Sequence, residues 1–224
     1  MARRICRAIS RTITLETALC AIRAYNSGTY RGEPNVELDR RARQKFANGL
    51  ARTLEGIYDQ IRFVGADYGG VSGYQAALRL TETIALEIYM DLDAYRRCAE
   101  GAPPLIEAPS AMETIEFLYK PFCKPLNDKQ NWLVWASKFW HFLNPDAFPI
   151  GDSRVYGFFG LSGWPNCSYK YVELLQNFRK FALDHQKWIE SLREADSWHA
   201  WSDNKLWDKV FYGLLELDDS VVAH

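Results

Sequence analysis

Strand signal is scarce in this 224-residue chain. Period-two alternation bounded by turn residues is weak throughout, which argues against a sheet-based architecture. The five cysteines, Cys6, Cys20, Cys98, Cys123 and Cys167, form no Cys-x-x-Cys pair. A zinc ribbon is therefore not expected, nor any other metal or cofactor. An odd, scattered set reads as reduced, buried thiols in a cytoplasmic protein. No run approaches the ~18 apolar residues of a membrane span. The opening MARRICRAISRTITLETALCAI is basic at its start, but Arg7, Arg11 and Glu16 interrupt any apolar core, so no signal peptide is read. The glycine-rich GADYGGVSGY holds no G-x-G-x-x-G and follows no strand, so a dinucleotide fingerprint fails.

What is present is helical and aromatic. The composition is 48% hydrophobic and 14% aromatic, with eight Trp. That suits a sizeable core in a single all-helical domain spanning 1–224. The net charge of −1 does not announce nucleic acid, but the charge is unevenly spread. Residues 1–52 hold eleven Lys/Arg against four Asp/Glu, and residues 184–219 hold four against nine. Such polarity permits a basic face on a neutral protein. Periodicity places helices over about 12–25, 37–62, 74–98, 110–119, 130–143, 168–194 and 204–217, with a short one starting at Asp152. His185 falls on the apolar stripe of the 168–194 segment and reads as a core histidine.

The stretch QNWLVWASKFWHFL is apolar almost all round, so it belongs in the middle of a bundle. Its polar members are informative for that reason. Asn131 and Lys138 share one side, and Ser137 and His141 line the next. A lysine there needs a partner. Lys138 either snorkels to solvent or pairs with Asp146 or Asp152, or it reaches a phosphate or ligand in a cleft. His141 reads as a hydrogen-bonded core residue.

Asp152 stands in FPIGDSRVYGFFG, just before a helix. Aspartate is a good N-cap, because its carboxylate accepts from the first free amides. Those amides and the helix dipole also favour the ionised form. A fixed negative charge of this kind lowers the barrier to N-glycosidic cleavage, where the sugar becomes cationic. It can also activate a water. Cap and catalyst are compatible roles.

An apolar helix, a short loop, then Pro-x-x-Asp-Ser-x-Val and a short helix resembles the active-site segment of helix-hairpin-helix DNA glycosylases. VWASKFWHFLNPDAFPIGDSRV is similar to the 8-oxoguanine glycosylase-like branch, and DNKLWDKVFYG to that branch's closing helix. The resemblance covers roughly 120–215. It implies an all-α, two-lobed bundle around a cleft. The active-site lobe would span about 110–200, with the N-terminal helices and the C-terminal helix forming the second lobe. It implies a monomer that binds double-stranded DNA containing a modified base and leaves an abasic site. The target would be an oxidised purine, in repair, or a hypermodified base of phage DNA, in anti-phage defence. Asp152 falls on the family's catalytic aspartate. The family hairpin is glycine-rich, whereas KPLNDKQNW has no glycine. Asn131 stands at or near the position of the lysine nucleophile of bifunctional members, and Lys129 lies two residues earlier. The chain therefore either uses Lys129 or is monofunctional, with a water positioned by Asp152. DNA or base contacts are expected from Asn131, Lys138, Ser153 and Arg154, a wedge from Tyr74 or Gln75, stacking from Tyr68 or Trp164, and phosphate contacts from Arg40, Arg41, Arg43 or Lys45. The alternative is a non-catalytic helical DNA-binding or interaction protein in which Asp152 is only a cap.

Overall fold

Among the described residues, Thr14 starts the first helix. Its hydroxyl accepts the Thr17 amide at 3.2 Å and opens α1 (Leu15–Ser27), which buries Ala18, Ala21, Ile22 and Tyr25. The computed structural model describes residues 13–30, 32–68, 74–123, 133–161, 168–196 and 202–222, without the side chains of 74–79, 215 and 218–222. Lys129, Asn131 and Trp164 lie outside the described residues, as do the side chains of Tyr74 and Gln75. After α1, Thr29–Tyr30 (β1) and Glu33–Pro34 (β2) pair antiparallel in a short ribbon. The remaining described elements are helical: α2 (Asn35–Lys45), α3 (Leu54–Arg62), a π-turn (Phe63–Asp67), α4 (Tyr74–Met90), α5 (Leu92–Glu100), α6 (Met112–Tyr119), α7 (Leu133–Leu143), α8 (Ser153–Phe158), α9 (Ser168–Asp184), α10 (Ile189–Ala195) and α11 (Asp203–Val222). The molecule is predominantly α-helical, and no helix among the described residues is long and apolar enough to cross a membrane.

Three helices expected to be continuous are broken. The segment at 37–62 splits between α2 and α3. The buried Gln60 amide donates to the Lys45 and Gly49 carbonyls and its oxygen accepts the Ala51 amide, so a side chain satisfies the turn that a helix would otherwise satisfy. Thr53 then caps α3 by accepting the Gly56 amide at 3.1 Å. The segment at 74–98 breaks at Asp91, which caps α5 through backbone bonds from Ala94 and Tyr95. The segment at 168–194 breaks at His185. That residue is half-buried rather than a core histidine, stacks on Phe181 and bonds the Phe181 carbonyl at 2.9 Å.

α7 lies in the centre, as its all-round apolarity requires. Trp135, Phe139 and Trp140 are fully buried. Both indoles find buried carbonyl partners, Trp135 at Ile61 (3.0 Å) and Trp140 at Leu118 (2.9 Å). The cysteines differ from expectation. Of the described three, Cys20 and Cys123 are exposed thiols and Cys98 is half-buried against the core.

α11 and α1 form the most extensive helix pair, and α8 and α10 pack beside them. Their approach is close enough to demand glycine. A Cβ on Gly213 would stand 1.9 Å from the Ala21 carbonyl oxygen. Gly213→Ala must force the helices apart, with an expected loss of about 3 kcal/mol. A lowered urea midpoint at unchanged slope would report it.

Candidate active site

The loop 144–152 between α7 and α8 is tied down by side chains. Asn204 donates to the Pro145 and Asp146 carbonyls, both at 2.8 Å. His141 Nδ1 donates to the Phe148 carbonyl at 2.7 Å, and Tyr171 donates to the Pro149 carbonyl at 2.7 Å. Ser137 Oγ accepts the Gly151 amide at 3.0 Å. Asn144 reaches back to Ala99 and Ala102. Gly151 approaches α9 so closely that a Cβ would meet Leu174 and Tyr171 at 3.1 Å. A loop whose carbonyls are occupied one after another is a rigid mount.

That mount presents Asp152. Its Oδ1 accepts the amides of Arg154 (2.9 Å) and Val155 (3.1 Å), so the expected cap forms. Both cap bonds fall on one oxygen, and the residue is half-buried. Ser153 is exposed beside it. The Arg154 guanidinium lies 3.9 Å from the centre of the Tyr212 ring, so the face of that cation is stacked rather than paired with a carboxylate. Burial raises the Tyr212 pKa, Arg154 opposes that rise, and Asp152 adds to it.

Lys138 is half-buried on α7, and its Nζ donates to the Tyr68 carbonyl at 3.4 Å. Among the described residues no carboxylate lies within ion-pair distance of it, and the half-buried residue keeps some contact with solvent. Desolvation lowers its pKa, while Asp152 and Asp208 pull it back up. Tyr68 is no base stacker. It is only 8% exposed, and its hydroxyl donates to Asp39 Oδ1 at 2.6 Å. A stacking platform needs an open ring face, and here packing and Lys138 occupy it. Arg40, Arg41 and Lys45 are each engaged by acids: Glu37, then Glu33 and Asp67, then Asp59. These exposed pairs are weak and salt-labile, so phosphates can compete for the cations.

Sequence reasoning missed a buried charge cluster behind Lys138. Lys205 is fully buried on α11. Its Nζ meets Asp39 Oδ1 at 2.9 Å, Asp208 Oδ2 at 2.8 Å and the Tyr68 hydroxyl at 2.8 Å. The Tyr25 hydroxyl donates to Asp39 Oδ2 at 2.9 Å. One turn on, Lys209 Nζ bonds both Asp196 oxygens, at 2.8 and 2.9 Å, and Asn26 donates to the same carboxylate. A signal was there to find. In Lys205-Leu-Trp-Asp-Lys-Val-Phe211 the charges are interleaved with large apolar residues and leave no separate solvated face.

His141 is fully buried beside this cluster, and its pKa falls to about 3, first through desolvation and then through Lys205. A base that binds its proton less readily when folded stabilises the fold above its unfolded value, near pH 6.5, and loses that contribution as pH falls towards 3. Stability should fall by about 1.4 kcal/mol per pH unit across that window from this group. His141→Gln keeps a donor for the Phe148 carbonyl and removes the titration. Denaturation midpoints between pH 6.5 and 4 should therefore slope less steeply in the variant.

Among the described residues, no group of three or more His, Cys, Asp and Glu side chains is placed to hold a metal ion. Comparison with family models, with curated proteins and with solved structures returns no match.

Proposed function

We propose that the protein is a monofunctional DNA glycosylase that cleaves the N-glycosidic bond of a modified base and leaves an abasic site. The observation that carries the reading is the Asp152 carboxylate. It is half-buried and capped through one oxygen only, at the end of a loop held rigid by Asn144, Asn204, His141, Tyr171 and Ser137. A charge that need not reorganise as the sugar becomes cationic stabilises the transition state most effectively. The Asp152 carboxylate faces the developing oxocarbenium and orients the water that adds to C1′. The base departs with the bonding pair, and the proton that the water gives up to Asp152 as its oxygen bonds C1′ ends on the released base, leaving the carboxylate ionised again. Lys138 and Arg154 supply positive charge for the flanking phosphates, and Ser153 offers a hydroxyl. In this reading the everted nucleotide lies between the lobe at 110–200, in a helix-hairpin-helix glycosylase-like arrangement, and a second lobe built around α1 and α11. The base is an oxidised purine or a hypermodified base of phage DNA.

The test is incubation with genomic DNAs that differ in base modification, followed by mass spectrometry of any freed base. Release of one modified base with an abasic product is expected. DNA binding without release from any substrate would reduce the protein to a binding module. Borohydride trapping on the active DNA should give no covalent adduct. An adduct lost in Lys129→Ala or in Lys138→Ala would instead make the enzyme a lyase through that amine.

A further inference from the structure

Tyr68 touches both the buried charge cluster and Lys138. Its carbonyl accepts from Lys138 Nζ at 3.4 Å, and its ring centre lies 5.3 Å from that nitrogen. Its hydroxyl donates to Asp39 Oδ1 at 2.6 Å and accepts from Lys205 Nζ at 2.8 Å. The π-turn Phe63–Asp67 delivers it, closed by the Tyr68 amide on the Phe63 carbonyl at 3.0 Å. The turn ends at Asp67, and among the described residues the Tyr68 carbonyl accepts from the lysine. Ring and hydroxyl are thus fixed at one end by the buried ions Asp39 and Lys205, and the carbonyl holds a half-buried cation at the other.

We propose that Tyr68 is the positioning residue of the site, holding the Lys138 ammonium beside Asp152 through its carbonyl and ring while the Asp39–Lys205–Asp208 cluster locks its hydroxyl. The catalytic meaning of that cation rests on the glycosylase reading. The placement itself does not. Lys138 is faced by Asp152 and Arg154 from α8, by Asp208 and Lys205 from α11, and by Tyr68 from the π-turn. Desolvation and two cations disfavour its charge, and two carboxylates and the Tyr68 carbonyl favour it. Loosening Tyr68 lets its carbonyl and ring drift from the amine and weakens one of the favourable contributions, so the amine should lose its proton at lower pH.

The measurement needs no DNA. Trace acetylation by acetic anhydride is followed against pH on the whole protein, with Lys138 quantified by mass spectrometry and the exposed Lys187 as internal reference. In Tyr68→Phe, which keeps the ring and frees it from Asp39 and Lys205, the Lys138 midpoint should fall by about half a unit, with about threefold faster labelling at neutral pH. In Tyr68→Leu, which also removes the ring, it should fall by about one unit. Labelling of Lys187 should match the parent protein in both. An unchanged Lys138 midpoint alongside a lowered melting temperature would make Tyr68 a packing residue and overturn the proposal. Should Tyr68→Leu fail to fold, Tyr68→Phe decides alone. Absence of base release from every DNA would sink the glycosylase reading and leave this result standing.

Discussion

Asp152→Asn should lower base release by at least about 10³-fold while leaving the fold intact. The two halves of that expectation come from different properties of one side chain. Asparagine caps a helix about as well as aspartate, so its carbonyl oxygen can keep the Arg154 and Val155 amides. The helix start, and Val155 and Tyr156 buried behind it, should therefore persist. The lost negative charge is not replaced in place, because Asp208, the other described carboxylate that acts on Lys138, is tied to Lys205 at 2.8 Å. Single-turnover base release and a melting curve on the same preparation separate the two effects. Asp152→Ala should lose activity similarly and also about 1 kcal/mol of stability with the cap. Release by the Asn variant at the parental rate would remove the carboxylate from the chemistry.

Lys205→Met should produce the largest stability loss in the molecule, about 3–5 kcal/mol. Methionine fills much of the same volume, so the cost is electrostatic. Asp39 and Asp208, at 4% and 7% exposure, would face each other without the cation between them. Burial works against the charged lysine, but Asp208 and Asp39, joined by Tyr25 and Tyr68, outweigh it and hold its pKa well above the ordinary lysine value. A raised folded value means the contribution is complete below the unfolded value near pH 10.4 and fades only as pH climbs through the higher one. The loss should therefore be fully visible at neutral pH, as a melting temperature lower by roughly 10 °C. Adding Asp208→Asn to Lys205→Met should restore part of the loss, because it removes one of the stranded charges. No recovery in the double variant would place the cost in packing instead.

The parts of the fold legible in the sequence are those decided locally. The central position of α7 followed from its lack of a polar face, and Asp152 was readable as a helix start because capping needs only the next three residues. The burial of His141 was readable for the first of these reasons. The breaks between Lys45 and Leu54 and at His185 were not, because local periodicity runs straight through both and side-chain bonds to the backbone, from Gln60 and His185, decide them. Tyr68 looked like a stacking aromatic because the partners that bury it are distant. Asp39 lies 29 residues before it and Lys205 lies 137 residues after it. The interior ions on α11 were missed for the same reason. A lysine looks solvated until the acid that meets it is placed, and Asp39 and Asp196 come from other elements.

The pairing of α1 with α11 also sets an order of events during synthesis. Tyr25 and Lys205 are 180 residues apart in sequence. Until α11 leaves the ribosome, the apolar stripe of α1 lacks its main partner, and Asp39 has only the Tyr25 and Tyr68 hydroxyls and no cation. A nascent chain stalled before that helix would display a greasy ridge and a stranded acid, and would attract chaperones until translation resumed.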